Sequence, residues 1–179
     1  MFTKRVVLSA VAATVLMTGG ASAQTSCAGV GSCNLPLNAS VTVPALVAMS
    51  TAAGSISLTA PDGDDLVTGY VTESTPLELT VRSNRSWRLQ IHTTAATNWT
   101  YAGTDGGVKP ISDLQWSTTA AGTFSSITGT AADVVTAQPR TNGADQAIYF
   151  RTLYPNDFTD ARNAPGTYTI PLVFTLVAP

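Results

Sequence analysis

Few side chains in this sequence are of a catalytic type. His92 is the only histidine, on the polar side of the alternating run Trp87, Arg88, Leu89, Gln90, Ile91, His92. A hydrolase of the serine type needs such a histidine against a nucleophile and oriented by a carboxylate. No G-x-S-x-G elbow accompanies it, and that elbow belongs to a strand–turn–helix unit. Paired carboxylates could hydrolyse glycosides, but the acids here fall in turn-forming stretches. An exposed strand histidine without a role is the simpler reading, so a non-catalytic chain with no cofactor is expected.

Asp62, Asp64 and Asp65 cluster in PDGDD, and Asp157 and Asp160 in PNDFTDARN. Calcium takes six or more oxygens, and sandwich loops can supply them. Asp and Asn are equally the ordinary residues of solvated turns, so no metal is expected. Aromatic stacking on a sugar is a further possibility: Trp99 and Tyr101 share a face, with Trp116, Tyr149 and Tyr154 as further candidates. Large aromatics are also ordinary core and rim material, and Trp87 leads an apolar face and belongs inside. A secreted carbohydrate-binding module is therefore the alternative reading, not the first.

The two cysteines stand in CAGVGSC, Cys27 and Cys33. Two thiolates do not make a closed zinc site, and C-x5-C lacks the C-x-x-C spacing of redox proteins. In an exported protein such a pair forms a disulfide, here closing a loop short enough to stabilise by only roughly 2 kcal/mol.

Export is what the first 23 residues indicate. Lys4 and Arg5 precede an apolar run over 6–17, and Ala21, Ser22 and Ala23 give a small-x-small cleavage pattern before Gln24. The run is too short to span a bilayer, and no second long apolar stretch follows. The expected layout is a signal peptide over 1–23, a segment with the local disulfide over 24–40, and one domain over 41–179. With the signal's two basic residues removed, seven basic groups face eleven acidic ones. Neither nucleic acid nor anionic lipid suits such a surface, since both select clustered positive charge.

Thr is the commonest residue, 28 of 179, and β-branching favours strands over helices. Period-two runs recur at 41–49, 56–58, 77–82, 87–92, 148–151 and 168–176. Weaker candidates lie at 66–71, 98–101, 114–116, 123–127 and 134–137. PDGDD, GTDGG, AAGT, TNGAD and NAPG read as turns. Many short strands with one apolar face make an all-β antiparallel sandwich. Pro44 and Pro171 cannot donate to a ladder, which places their strands at edges or bulges, and a closed barrel has no edges.

Two of these strands stand out. Val41, Val43, Ala45 and Val47 alternate on one face near the N-terminus, and Tyr168, Ile170, Leu172 and Phe174 do so near the C-terminus. No charged residue occurs over 34–61 or 168–179, although exposed edges are normally blunted by charge. These eight residues are the candidate inter-subunit edges. Either they pair with each other, or one is lent to another molecule.

The stretch GTYTIPLVFTL, with Gly166, Thr167 and Tyr168 opening it, resembles the closing strand of secreted bacterial fibre subunits, the spore coat protein U-type and chaperone–usher pilin-like domains. That resemblance implies an immunoglobulin-like sandwich and a structural or adhesive subunit that assembles into a fibre or pilus by β-strand addition. It also implies self-association or association with related surface subunits, handling by a periplasmic chaperone, and a secreted or cell-surface location reached through the periplasm.

If the cysteines close only a local loop, a Cys27→Ser/Cys33→Ser chain should still fold, losing no more than roughly 2 kcal/mol of stability. Intact mass with and without reductant checks the bond, and failure of the variant to fold would mean that the core leans on it.

Overall fold

The computed structural model describes residues 31, 32, 35 and 38–178. The expected signal segment, Cys27 and Cys33 lie outside the described residues. Two compact units divide between Thr42 and Val43. The described residues of the first have no regular secondary structure, and Val41 there is 87% exposed. The second carries β1 (Val47–Ser50), α1 (Gly63–Thr68), β2 (Tyr70–Thr72), β3 (Leu77–Ser83), β4 (Trp87–Thr93), β5 (Thr100–Ala102) and β6 (Leu114–Ser117). It continues with β7 (Ser125–Ser126), β8 (Ala132–Gln138), β9 (Thr141–Leu153), β10 (Thr167–Thr169) and β11 (Leu172–Val177).

This is an all-β, immunoglobulin-like antiparallel sandwich. The larger sheet has the order β1-β3-β9-β6-β7, with β2 also paired to β9; the smaller is β11-β4-β8, and β10-β5 forms a separate ribbon. Period two explains the packing. Leu77, Leu79 and Val81 of β3, Ile148 and Phe150 of β9, and Leu114 and Trp116 of β6 face Trp87, Leu89 and Ile91 of β4 across the core. Glu78 and Arg82, between the apolar positions of β3, are exposed.

Several elements differ from the expectations, each for a local reason. Residues 63–68, read as turn and strand, are a helical turn. The Asp62 carboxylate accepts from the amides of Asp64 and Asp65, while Asp65 accepts from the amide of Asp62. That reciprocal cap satisfies amides which a short helix leaves orphaned, and Gly69, at φ 90°, ends it. TNGAD lies inside β9 instead of forming a turn. The ladder slips between Val81 and Arg82, which pair with Ala144 and Asn142, so Gly143 is the bulged residue at φ 143°.

The closing run is two strands. Tyr168 pairs with Tyr101 in the ribbon, whereas Leu172 pairs with Thr93 in the smaller sheet. Pro171 marks the crossing, lacking an N–H to pair, and its carbonyl accepts from Thr93 Oγ1 at 2.6 Å. At the other end, strand geometry begins only at Val47. The backbone ahead of it is held by Asn84, whose Nδ2 donates to Pro44 O and whose Oδ1 accepts from the Leu46 amide.

Arg88 and His92 were expected in solvent and are half-buried. His92 lies opposite Val173, and its Nδ1 lacks a hydrogen-bond partner. Leu172 and Phe174, among the candidate edge residues, are also half-buried. Leu89→Ala, at a site with 0% exposure, should cost about 2–5 kcal/mol, as buried leucine truncations do. Phe174→Ala should cost distinctly less than a buried phenylalanine truncation. Urea denaturation of both variants checks the contrast.

Candidate functional site

β11 pairs with β4 along one side, and among the described residues its other side has no partner strand. Across from that free side runs 51–61, without regular structure, in which Ile56 and Leu58 are half-buried between exposed neighbours. The two segments bound a groove of about 830 Å3. Its floor is core: Leu77, Leu79, Leu114, Phe150 and Trp99 all line it. An unpaired strand edge and an apolar groove that reaches core side chains thus occur at one place. That combination can accept an extended peptide, with main-chain bonds to β11 and alternate side chains in the groove.

Of the predicted edge residues, Tyr168, Ile170, Leu172 and Phe174 all line this groove. Val41 and Val43 are exposed, at 87% and 68%, and Ala45 is exposed as well. Val47 opens β1 opposite Ser83 and borders a shallow recess with Leu46, Arg82 and Asn84. The role of Gly166 in the G-x-Y opening is steric. Its φ is 157°, and a Cβ there would meet Tyr101 Cε2 at 2.5 Å and Ala102 O at 2.9 Å. Tyr101 packs on Tyr168 with ring centroids 5.0 Å apart.

Lys109, which sequence reasoning passed over, sits at one end of the groove. Its side chain is 1% exposed; Nζ donates to Leu153 O at 2.6 Å, lies 3.7 Å from Asp113 Oδ2, and stands 4.0 Å from the centre of the Tyr154 ring. Burial lowers the lysine to about 8, against the pull of Asp113, and burial raises Asp113 despite Lys109. Both partners are driven toward their neutral forms. Tyr154 is pushed up to about 12, by burial first and then by Glu73 and Asp65. The i,i+4 spacing of Lys109 and Asp113 was the available signal, but no helix pattern made it legible.

The sugar platform is not assembled. Trp99 is buried, with Nε1 donating to Pro110 O at 3.0 Å, and Trp116 is buried too. On β9, Arg151 covers the Tyr70 and Phe124 rings at 4.9 and 4.3 Å, oriented by two bonds to Gln115 Oε1. The Asp clusters are engaged locally, in the α1 cap and in bonds that Asp157 accepts from Thr159 and Asp160 accepts from Arg162. No group of three or more potential metal ligands occurs among the described residues.

No protein-family profile matches the chain, and no curated protein matches it. Among solved structures it is similar to a subunit in a chaperone–usher pilus structure that addresses rod uncoiling. Identity there is 13%, with 87% of this chain and 100% of the other covered and a TM-score of 0.47. It is also similar to the P pilus rod subunit PapA, at 12% identity, 75% and 99% coverage and a TM-score of 0.45.

The lysine has a pH signature. Between about 8, where folded Lys109 loses its proton, and its ordinary 10.5, the unfolded chain holds more protons, so stability should rise with pH. Above about 10 the raised Tyr154 works in the opposite sense, since the folded chain then holds the extra proton. In Lys109→Met the rise from pH 8 should flatten. Urea midpoints between pH 7 and 10 read it directly.

Proposed function

We propose that the chain is an exported, non-catalytic structural subunit of a surface fibre, taking a strand from another copy of itself into the groove beside β11. The observation that carries this reading is the free β11 edge beside an apolar groove that reaches down to core side chains. Backbone groups and apolar side chains left open together are completed by one extended segment. The N-terminal segment is the suitable guest, because Val41 and Val43 alternate, are exposed, and lie in a region without charge. Assembly through the periplasm follows, after loss of residues 1–23. Until a guest arrives the groove needs cover, which is the task of a chaperone that presents a strand. No exposed aromatic row favours the carbohydrate module.

Val43→Arg provides the sharpest test. Val43 is 68% exposed, so the substitution should change monomer stability by no more than about 0.5 kcal/mol, yet it would bury a charge in a filled groove. Size-exclusion chromatography with light scattering on the chain from Gln24 should show polymers that Val43→Arg prevents. A chain beginning at Val47 should be monomeric and gain thermal stability when a peptide of residues 34–46 is added. Polymerisation unaffected by Val43→Arg, or a monomer indifferent to the peptide, would reject strand addition.

A further inference from the structure

We propose that the end of the sandwich bearing Arg82, Arg85 and Arg140 is a docking surface for the acidic end of a second copy of this chain. Register places the three arginines together: Arg82 pairs with Asn142, Ser83 with Thr141, and Trp87 with Gln138. Arg85 is therefore in the β3–β4 turn and Arg140 in the adjacent β8–β9 turn. All three are exposed. The ion pairs among the described residues use Arg88, Lys109 and Arg162 instead. Arg82 and Arg140 both border the shallow recess that also takes in Asn84 and Val47.

The opposite end collects carboxylates. Asp62, Asp64 and Asp65 surround the start of α1, Glu73 follows β2, and Asp157 and Asp160 lie in the connection after β9. Arg151 and Arg162 offset these six together with the buried Lys109, but Lys109 is paired with Asp113 and Arg162 with Asp160. The two ends are separated by the length of β9, about 40 Å at the rise of a strand. That is several times the Debye length of about 8 Å at physiological salt, so neither end neutralises the other within one molecule. Each is presented to a neighbour.

The contact rests on the strand-addition reading for its geometry. The chain enters β1 at the arginine end, where Asn84 holds Pro44 and Leu46. β11 runs from the acidic end toward the arginine end, since Leu172 pairs with Thr93 and Val177 with Arg88. A guest strand running against β11 leaves its host at the acidic end and there meets its own arginine end. A guest running with β11 would set two arginine ends against each other. Charge thereby selects the direction of addition.

The test compares the whole chain with Arg82→Glu/Arg140→Glu, with Asp64→Lys/Asp157→Lys, and with an equal mixture of the two variants, by light scattering. Raising salt from about 50 to about 500 mM should slow wild-type association about tenfold or more, as for steered encounters. Each variant alone should slow comparably at low salt, and the mixture should recover. Association insensitive to salt and to charge reversal overturns the docking surface, and so does a wild-type chain that never associates at low salt. Binding of the 34–46 peptide, read on the same proteins, separates the two ideas. Loss of the charge effects with peptide binding intact removes only the docking surface. Charge-swap recovery without peptide binding removes only strand addition.

Discussion

A three-stranded sheet packs against a six-stranded one, and its outer strand β11 has no further strand beside it among the described residues. Coverage is complete beneath β4, the middle strand of the smaller sheet, where Trp87, Leu89 and Ile91 are 0–1% exposed. It weakens to either side. Beyond β11 runs 51–61, which packs on the core through Ile56 and Leu58 and is tied at Thr59 to the Glu73 carboxylate just past β2. The half-burial of Leu172 and Phe174, the open groove and the free edge are one shortage seen from three positions. Burying apolar area is the main favourable term in folding, and the apolar side chains of β11 obtain only part of it.

Alternation located the core strands, but the equally strict alternation over 41–46 and at Ile56 and Leu58 is not strand. The runs around Leu79, Leu89 and Phe150 lie in β3, β4 and β9 because period two on a half-buried surface admits little else. Boundaries and partners were less legible. TNGAD has turn composition, yet Gly143 serves a bulge within a long strand, and composition does not separate the two uses. PDGDD reads as a turn because aspartates favour turns and helix caps alike; only the reciprocal bonds of Asp62 and Asp65 decide it. Pro171 was correctly read as an interruption, but a single sequence cannot say that the strand changes sheets there.

The groove was half legible. Tyr168 to Phe174 could be singled out by alternation without charge, whereas the lack of a second partner for β11 among the described residues is a property of topology that no local pattern carries. Lys109 was invisible for a related reason. An isolated lysine between Val108 and Pro110 reads as surface, and its burial follows from the Leu153 carbonyl and the Tyr154 ring that β9 brings to it.

Asn84 joins the chain ahead of β1 to the β3–β4 turn by side-chain bonds to Pro44 and Leu46, and its own amide donates to Leu46 O. Its position has a mechanical meaning. Ladder bonds lie perpendicular to their strands, so tension applied at Pro44 along the strand axis loads the β1–β3 bonds and the Asn84 bonds together, in shear. A pull across the strand would instead open them one at a time, as a zipper does. From β1 the load passes to β3 and then to β9, the longest strand in the domain. A subunit tethered to its neighbour at this point would bear traction through its stiffest element, leaving the groove of the same molecule outside the line of force.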